Sequence, residues 1–149
     1  MGNFTQDLKI GERAQDFIIK ELQSEYPGIK SMQGNFSNYD LVSDSGYTAE
    51  VKFDRMSRNT GKVGIEYEYN NYPSGIAKTT AMDWVHIYRF NSQWVYSKMK
   101  VADLKSFTKS NWKHLRKVTG GDYGAAKLVL ISIPDFAERF SFKTINPIT

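Results

Sequence analysis

Residues 38–53 read NYDLVSDSGYTAEVKF, and how this stretch turns decides the fold and the chemistry. β-Branched and aromatic residues flank a Ser-Asp-Ser-Gly cluster, which is a hairpin signal. On the second strand Glu50 and Lys52 share a face, because side chains two apart point the same way. Whether Asp40 joins them depends on the loop. A four-residue loop, 43–46, pairs Val42 with Tyr47 and sets Asp40 opposite Ala49, on the wrong face. A three-residue loop, 44–46, pairs Ser43 with Tyr47 and sets Asp40 opposite Glu50. Three-residue loops place a left-handed residue, commonly Gly, at their end, and Gly46 stands there. The expectation is the three-residue register, or a bulge with the same effect.

Directly opposed carboxylates lie about 5 Å apart and repel. A hard divalent cation with oxygen ligands relieves that repulsion. Mg²⁺ takes one or two carboxylates together with waters and a substrate phosphate, and Mn²⁺ substitutes for it. Lys52 beside such a cation orients a water or stabilises charge on a phosphate. The plain alternative is an alternating-charge strand with a Glu50–Lys52 surface pair.

Outward from the hairpin, residues 11–25 carry Ala14, Phe17, Ile18 and Leu22 at helical spacing, stopped by Pro27-Gly28. Residues 29–33 read as a short strand and 54–61 as a polar loop. Residues 62–69 alternate strictly as a strand. Helical turns are expected over 76–82, strands over 84–90 and 93–98, and a helix over 101–117, broken near Asn111. An apolar strand covers 127–133, and a C-terminal helix begins near Pro134. One helix, then mostly antiparallel strands, then mixed elements define an α/β domain of α+β-like order. The 149 residues suit a single domain spanning 1–149.

The net charge is +4 and the pI about 9.2, a mild basic excess. From 98 to 117 seven Lys and Arg face only Asp103. This run is either a solvated face or a phosphate-contacting surface. The absence of cysteine excludes disulfides and thiolate metal sites. The first residues have no apolar signal core, and no apolar run reaches membrane-spanning length. His86 on its apolar strand reads as a packed, hydrogen-bonded histidine. With His114 far away, zinc is not expected.

Asn38-Tyr39-Asp40, followed across the hairpin by Glu50-Val51-Lys52, resembles the PD-(D/E)XK nuclease superfamily, with Asn38-Tyr39 where many members have Pro. Residues 73–87, PSGIAKTTAMDWVHI, look like a segment of small phage-type nucleases. The resemblance spans roughly residues 11–90 and lies nearest to phage-type or Holliday-junction-resolvase-like endonucleases. It implies a restriction-endonuclease-like core: an N-terminal helix, a central mixed sheet with an antiparallel catalytic hairpin, and flanking helices. It implies Asp40 and Glu50 as metal ligands and Lys52 as the catalytic lysine. Glu12 resembles the helical Glu, and Glu66 the Glu or Gln of the following strand, that assist some members. The implied activity is Mg²⁺-dependent endonuclease cleavage of DNA, structure-specific for branched DNA, in the cytoplasm of a bacterial or phage-infected cell. Lys78, Lys105, Lys109, Lys113, Arg116 and Lys117 are the candidate DNA contacts, and a homodimer follows by analogy. The alternative is a non-catalytic nucleic-acid-binding module that keeps the nuclease fold.

Overall fold

The computed structural model describes residues 4–32, 40–120 and 124–145. In chain order the elements are α1 (Phe4–Gln23), β1 (Lys30–Ser31), β2 (Leu41–Val42), β3 (Thr48–Phe53), α2 (Ser57–Thr60) and β4 (Lys62–Tyr69). Then come β5 (Tyr72–Pro73), a 3-10 turn (Gly75–Ala77), β6 (Asp83–Phe90), β7 (Gln93–Lys100) and α3 (Val101–Ser110). The chain continues through β8 (Arg116–Gly120), β9 (Ala126–Ser132), α4 (Ile133–Arg139) and β10 (Phe142–Thr144).

The fold is mixed α/β. A six-stranded sheet runs β1-β2-β3-β6-β7-β10, and a four-stranded sheet runs β5-β4-β9-β8. In the larger sheet β3 and β6 are parallel and the other pairs antiparallel. One face of that sheet holds Ala49, Val85 and Ile87, which pack under the α1 stripe Ala14, Ile18 and Leu22. The opposite face holds Trp84, Tyr88, Val95 and Met99. They meet Val63, Ile65, Val129 and Ile131 of the smaller sheet, closed by Leu104 of α3 and Phe136 of α4. The larger sheet is thus apolar on both faces, as a layer between two others must be.

Several boundaries differ from the sequence reading, each for a physical reason. The first helix starts at Phe4, not at Gly11. Gly11 lies inside it because the helix presses against Phe53: a Cβ there would stand 3.0 Å from the Phe53 ring. The 54–61 loop contains the single turn α2, and the turns expected over 76–82 shrink to the 3-10 turn. The helix of the basic run breaks at Asn111, as expected, but does not resume after it. The Asn111 side chain donates to the Phe107 carbonyl at 2.9 Å and ends α3, and Arg116 and Lys117 belong to β8, paired with Leu130 and Val129. A second sheet and the last strand, β10, were not expected. Asn38 and Tyr39 lie outside the described residues, as does the end of the strand expected over 29–33.

Candidate metal centre and its surroundings

The hairpin takes the three-residue register. Leu41 pairs with Ala49 and Val42 with Thr48, the Ser43 N–H donates to the Tyr47 carbonyl at 2.9 Å, and the Gly46 N–H closes the turn on the Ser43 carbonyl at 3.1 Å. Gly46 has φ +91°, a region that L side chains rarely adopt. Continuing the ladder sets Asp40 across from Glu50. The local pairing is modified there: the Asp40 N–H turns to the Ala49 carbonyl at 3.0 Å, and Asp40 Oδ2 accepts the Val51 N–H at 2.8 Å. Asp40 is thereby pinned to the strand that carries Glu50.

In the β3–β6 pairing Glu50 sits beside Trp84 and Lys52 beside His86. This is the face that meets the smaller sheet, so the Glu50 side chain is only 13% exposed, while Lys52 is 42% exposed. Lys52 Nζ lies 3.2 Å from Glu50 Oε1. Burial pushes the Glu50 carboxyl above the usual glutamate range, Lys52 pulls it back and Asp40 pushes it up again. A partly buried carboxylate with a second beside it and one lysine is short of positive charge. A divalent cation would supply it. A carboxylate oxygen that accepts one N–H keeps lone-pair capacity for a cation, so the donor set fits a hard ion that retains several waters. Among the described residues no group of three or more His, Asp or Glu is placed to hold a metal. Asp40 and Glu50 would be the only protein carboxylates for such an ion among the described residues.

The structure does not bring Glu12 or Glu66 into this cluster. Glu12 is exposed on α1, and α1 packs on the sheet face opposite to Glu50 and Lys52. Glu66 is on β4 of the smaller sheet, opposite Leu128, where the ladder shifts register. Its neighbour Glu68 is tied to Lys127 at 2.7 Å. Asp83 is buried and accepts the Tyr47 hydroxyl at 2.6 Å, a bond that fastens β6 to the hairpin. Burial, then that bond, pushes the Tyr47 phenol far up.

The proposed DNA contacts divide. Lys78 is exposed just after the 3-10 turn. Lys105 and Lys109 rim a cleft of about 550 Å³ with Tyr67, Ile76 and Trp112 in its wall. Lys113 is exposed in the turn after α3, and Arg116 is exposed on β8. Lys117 is engaged locally: it donates to the Trp112 carbonyl and lies 4.6 Å from the centre of that ring.

Sequence reasoning missed Asp54. His86 is packed and hydrogen-bonded, as its apolar strand suggests, and Asp54 is its partner. Trp84 Nε1 donates to His86 Nδ1 at 3.1 Å. Indole is a donor only, so the imidazole proton sits on Nε2, which donates to Asp54 Oδ2 at 2.9 Å. The same oxygen accepts the Gly64 N–H at 2.8 Å. This chain locks β6 to β4 beneath Lys52. The signal was available: Asp54 continues the Glu50–Lys52 alternation by two residues.

Fold and site together define a mixed α/β domain with a carboxylate–carboxylate–lysine cluster on a hairpin of its central sheet. No known family profile and no curated protein matches the sequence. Among solved structures the chain is similar to a bacterial homing endonuclease, I-Ssp6803I, at 19% identity and a TM-score of 0.47, over 87% of this chain and 79% of that one. Among the described residues no helix is long and apolar enough to cross a membrane.

Proposed function

We propose that this chain is a Mg²⁺-dependent endonuclease of the PD-(D/E)XK kind, hydrolysing phosphodiester bonds in DNA. The observation that supports this reading is Asp40 held across from a partly buried Glu50, with Lys52 3.2 Å from Glu50. Asp40 and Glu50 would hold the ion. When bound, it supplies Lewis-acid stabilisation of phosphate charge and lowers the pKa of water. Lys52, half exposed, reaches toward solvent, where its ammonium can donate to a phosphate oxygen or to the attacking water. The Val51 N–H holds Asp40 in place, so the cluster needs little reorganisation when substrate arrives. Lys105, Lys109, Lys113 and Arg116 provide cations for the phosphate backbone. Branched DNA as substrate, and a homodimer that addresses two strands, extend the same proposal.

A non-catalytic DNA-binding module is the second reading. It draws on the bond between Asp40 Oδ2 and the Val51 N–H, which gives that carboxylate a structural task of its own.

Cleavage assays on linear, branched and single-stranded DNA separate the two. Wild type is expected to cut with Mg²⁺ and not with EDTA. Lys52→Ala should lower the rate about 10²–10³-fold, and Glu50→Gln at least as much, with DNA binding retained. Binding without cleavage by the wild type on every substrate would leave the module reading.

A further inference from the structure

A second charged site lies on the other face of the β3–β6 pair. A cleft of about 490 Å³ is lined by Gln6, Lys9 and Arg13 of α1, Arg58 of α2, Arg89 at the end of β6 and Trp94 at the start of β7. Its volume falls within the roughly 300–1,000 Å³ of small-molecule sites. Among the described residues its lining holds the cations Lys9, Arg13, Arg58 and Arg89 and no carboxylate, and Arg58 already has an interaction of its own.

The fold builds this convergence deliberately. Lys9 and Arg13 are one helical turn apart, so they share a face of α1. The close approach of Gly11 to Phe53 brings that face down onto the sheet. Ser57 Oγ accepts the Arg89 N–H at 2.9 Å and donates to the Asp54 carbonyl at 2.6 Å. These bonds tie α2 to β6 and set Arg58 near Arg89. The Arg89 guanidinium lies 5.5 Å from the centre of the Trp94 ring, which restricts it and leaves its donor edge for a ligand. Lys9, Arg13 and Arg89 bring like charges together in a concave site, where an anion is favoured. Trp94 is only 2% exposed, so it braces the floor and does not offer a stacking surface.

We infer that this cleft is a phosphate-binding site, in which Arg13 and Arg89, with Lys9, hold phosphate groups through charge-assisted N–H donors. The phosphates belong either to a nucleic-acid backbone or to a free polyphosphate. The site lies apart from Asp40 and Glu50 and does not depend on cleavage.

The test is binding in EDTA, where no cutting occurs, with a short DNA duplex and sodium tripolyphosphate as probes over a range of salt. Arg13→Ala with Arg89→Ala should weaken duplex binding about tenfold and flatten the log K versus log salt slope by roughly 1–2 units, about 0.9 per lost phosphate contact. Lys30→Ala with Lys143→Ala, exposed and away from the cleft, removes the same charge and should keep the wild-type slope. Lys9→Ala with Arg13→Ala, both exposed on α1, repeats the test should Arg89 prove necessary for folding. Tripolyphosphate that competes with duplex identifies backbone phosphates as the ligand. Tripolyphosphate that binds through Arg13 and Arg89 without competing identifies a free polyphosphate. If neither probe distinguishes the cleft variants from the Lys30 and Lys143 control, the inference is overturned. A wild type that binds here but never cuts DNA sinks the nuclease proposal alone.

Discussion

The two faces of the β3–β6 pair carry charge in opposite ways. On one, Asp40 and Glu50 place negative charge against the main core with one lysine to balance it. On the other, four cations from three separate segments line an open cleft. The acidic cluster is local: its members fall within thirteen residues of one hairpin. The basic cleft is assembled from positions eighty residues apart. On the two proposals made above, each would take a ligand of the opposite sign, a cation on one face and a phosphate on the other. Unbalanced charge of this kind lowers fold stability and is characteristic of binding sites.

The largest effect that would break this comparison is catalytic. Loss of about 10³-fold in cleavage is expected for Glu50→Gln, and cleft substitutions should leave the single-turnover rate of bound DNA unchanged. A cleft variant that abolished that rate would merge the two sites into one. Next is the tenfold loss of phosphate binding expected for the Arg13 and Arg89 double substitution, which Glu50→Gln should not reproduce.

The turn supplies a third contrast. Gly46→Val forces a β-branched residue to φ +91° and should cost about 1–3 kcal/mol in denaturant melts. It should also disturb the alignment of Asp40 with Glu50 and leave the cleft intact. Unchanged stability would show that the loop does not set the register.

That turn explains how much of the site was legible. Gly46 is a local conformational requirement, and one residue of register decides which face Asp40 takes. The alternation of Glu50 and Lys52 follows from strand geometry alone. The core strands β6, β7 and β9 were equally readable from their apolar runs. The break near Asn111 was readable, but the strand that follows it was not, because Arg116 and Lys117 enter β8 within a basic run that has no strand alternation. The start of α1 was hidden because Gly11 usually argues against a helix interior, and only its contact with Phe53 shows why it is tolerated. The basic cleft left no trace in sequence, since Lys9, Arg58 and Arg89 have no spacing relation to one another.

Smaller effects concern Glu50 itself. Its folded pKa is raised, chiefly by burial. The stabilisation from its protonated form is present below the ordinary glutamate range and lost as pH rises through the raised value. At neutral pH the partly buried carboxylate is therefore a net cost. Glu50→Gln should raise stability by about 1 kcal/mol there, with the difference from wild type closing as pH falls. In metal-free NMR titrations Lys52→Ala should move the Glu50 midpoint up and Asp40→Asn should move it down, because Lys52 lowers that pKa and Asp40 raises it. Shifts of the same sign in both variants would mean that the three side chains do not act on one another as described.

The most direct measurement is a crystal of this chain soaked in Mn²⁺ and read at the manganese absorption edge. The account predicts one anomalous peak coordinated by both Asp40 and Glu50 in the wild type, lost in Glu50→Gln. A wild-type crystal with no peak between those two carboxylates, or with the Asp40 side chain turned to the face opposite Glu50, would contradict it.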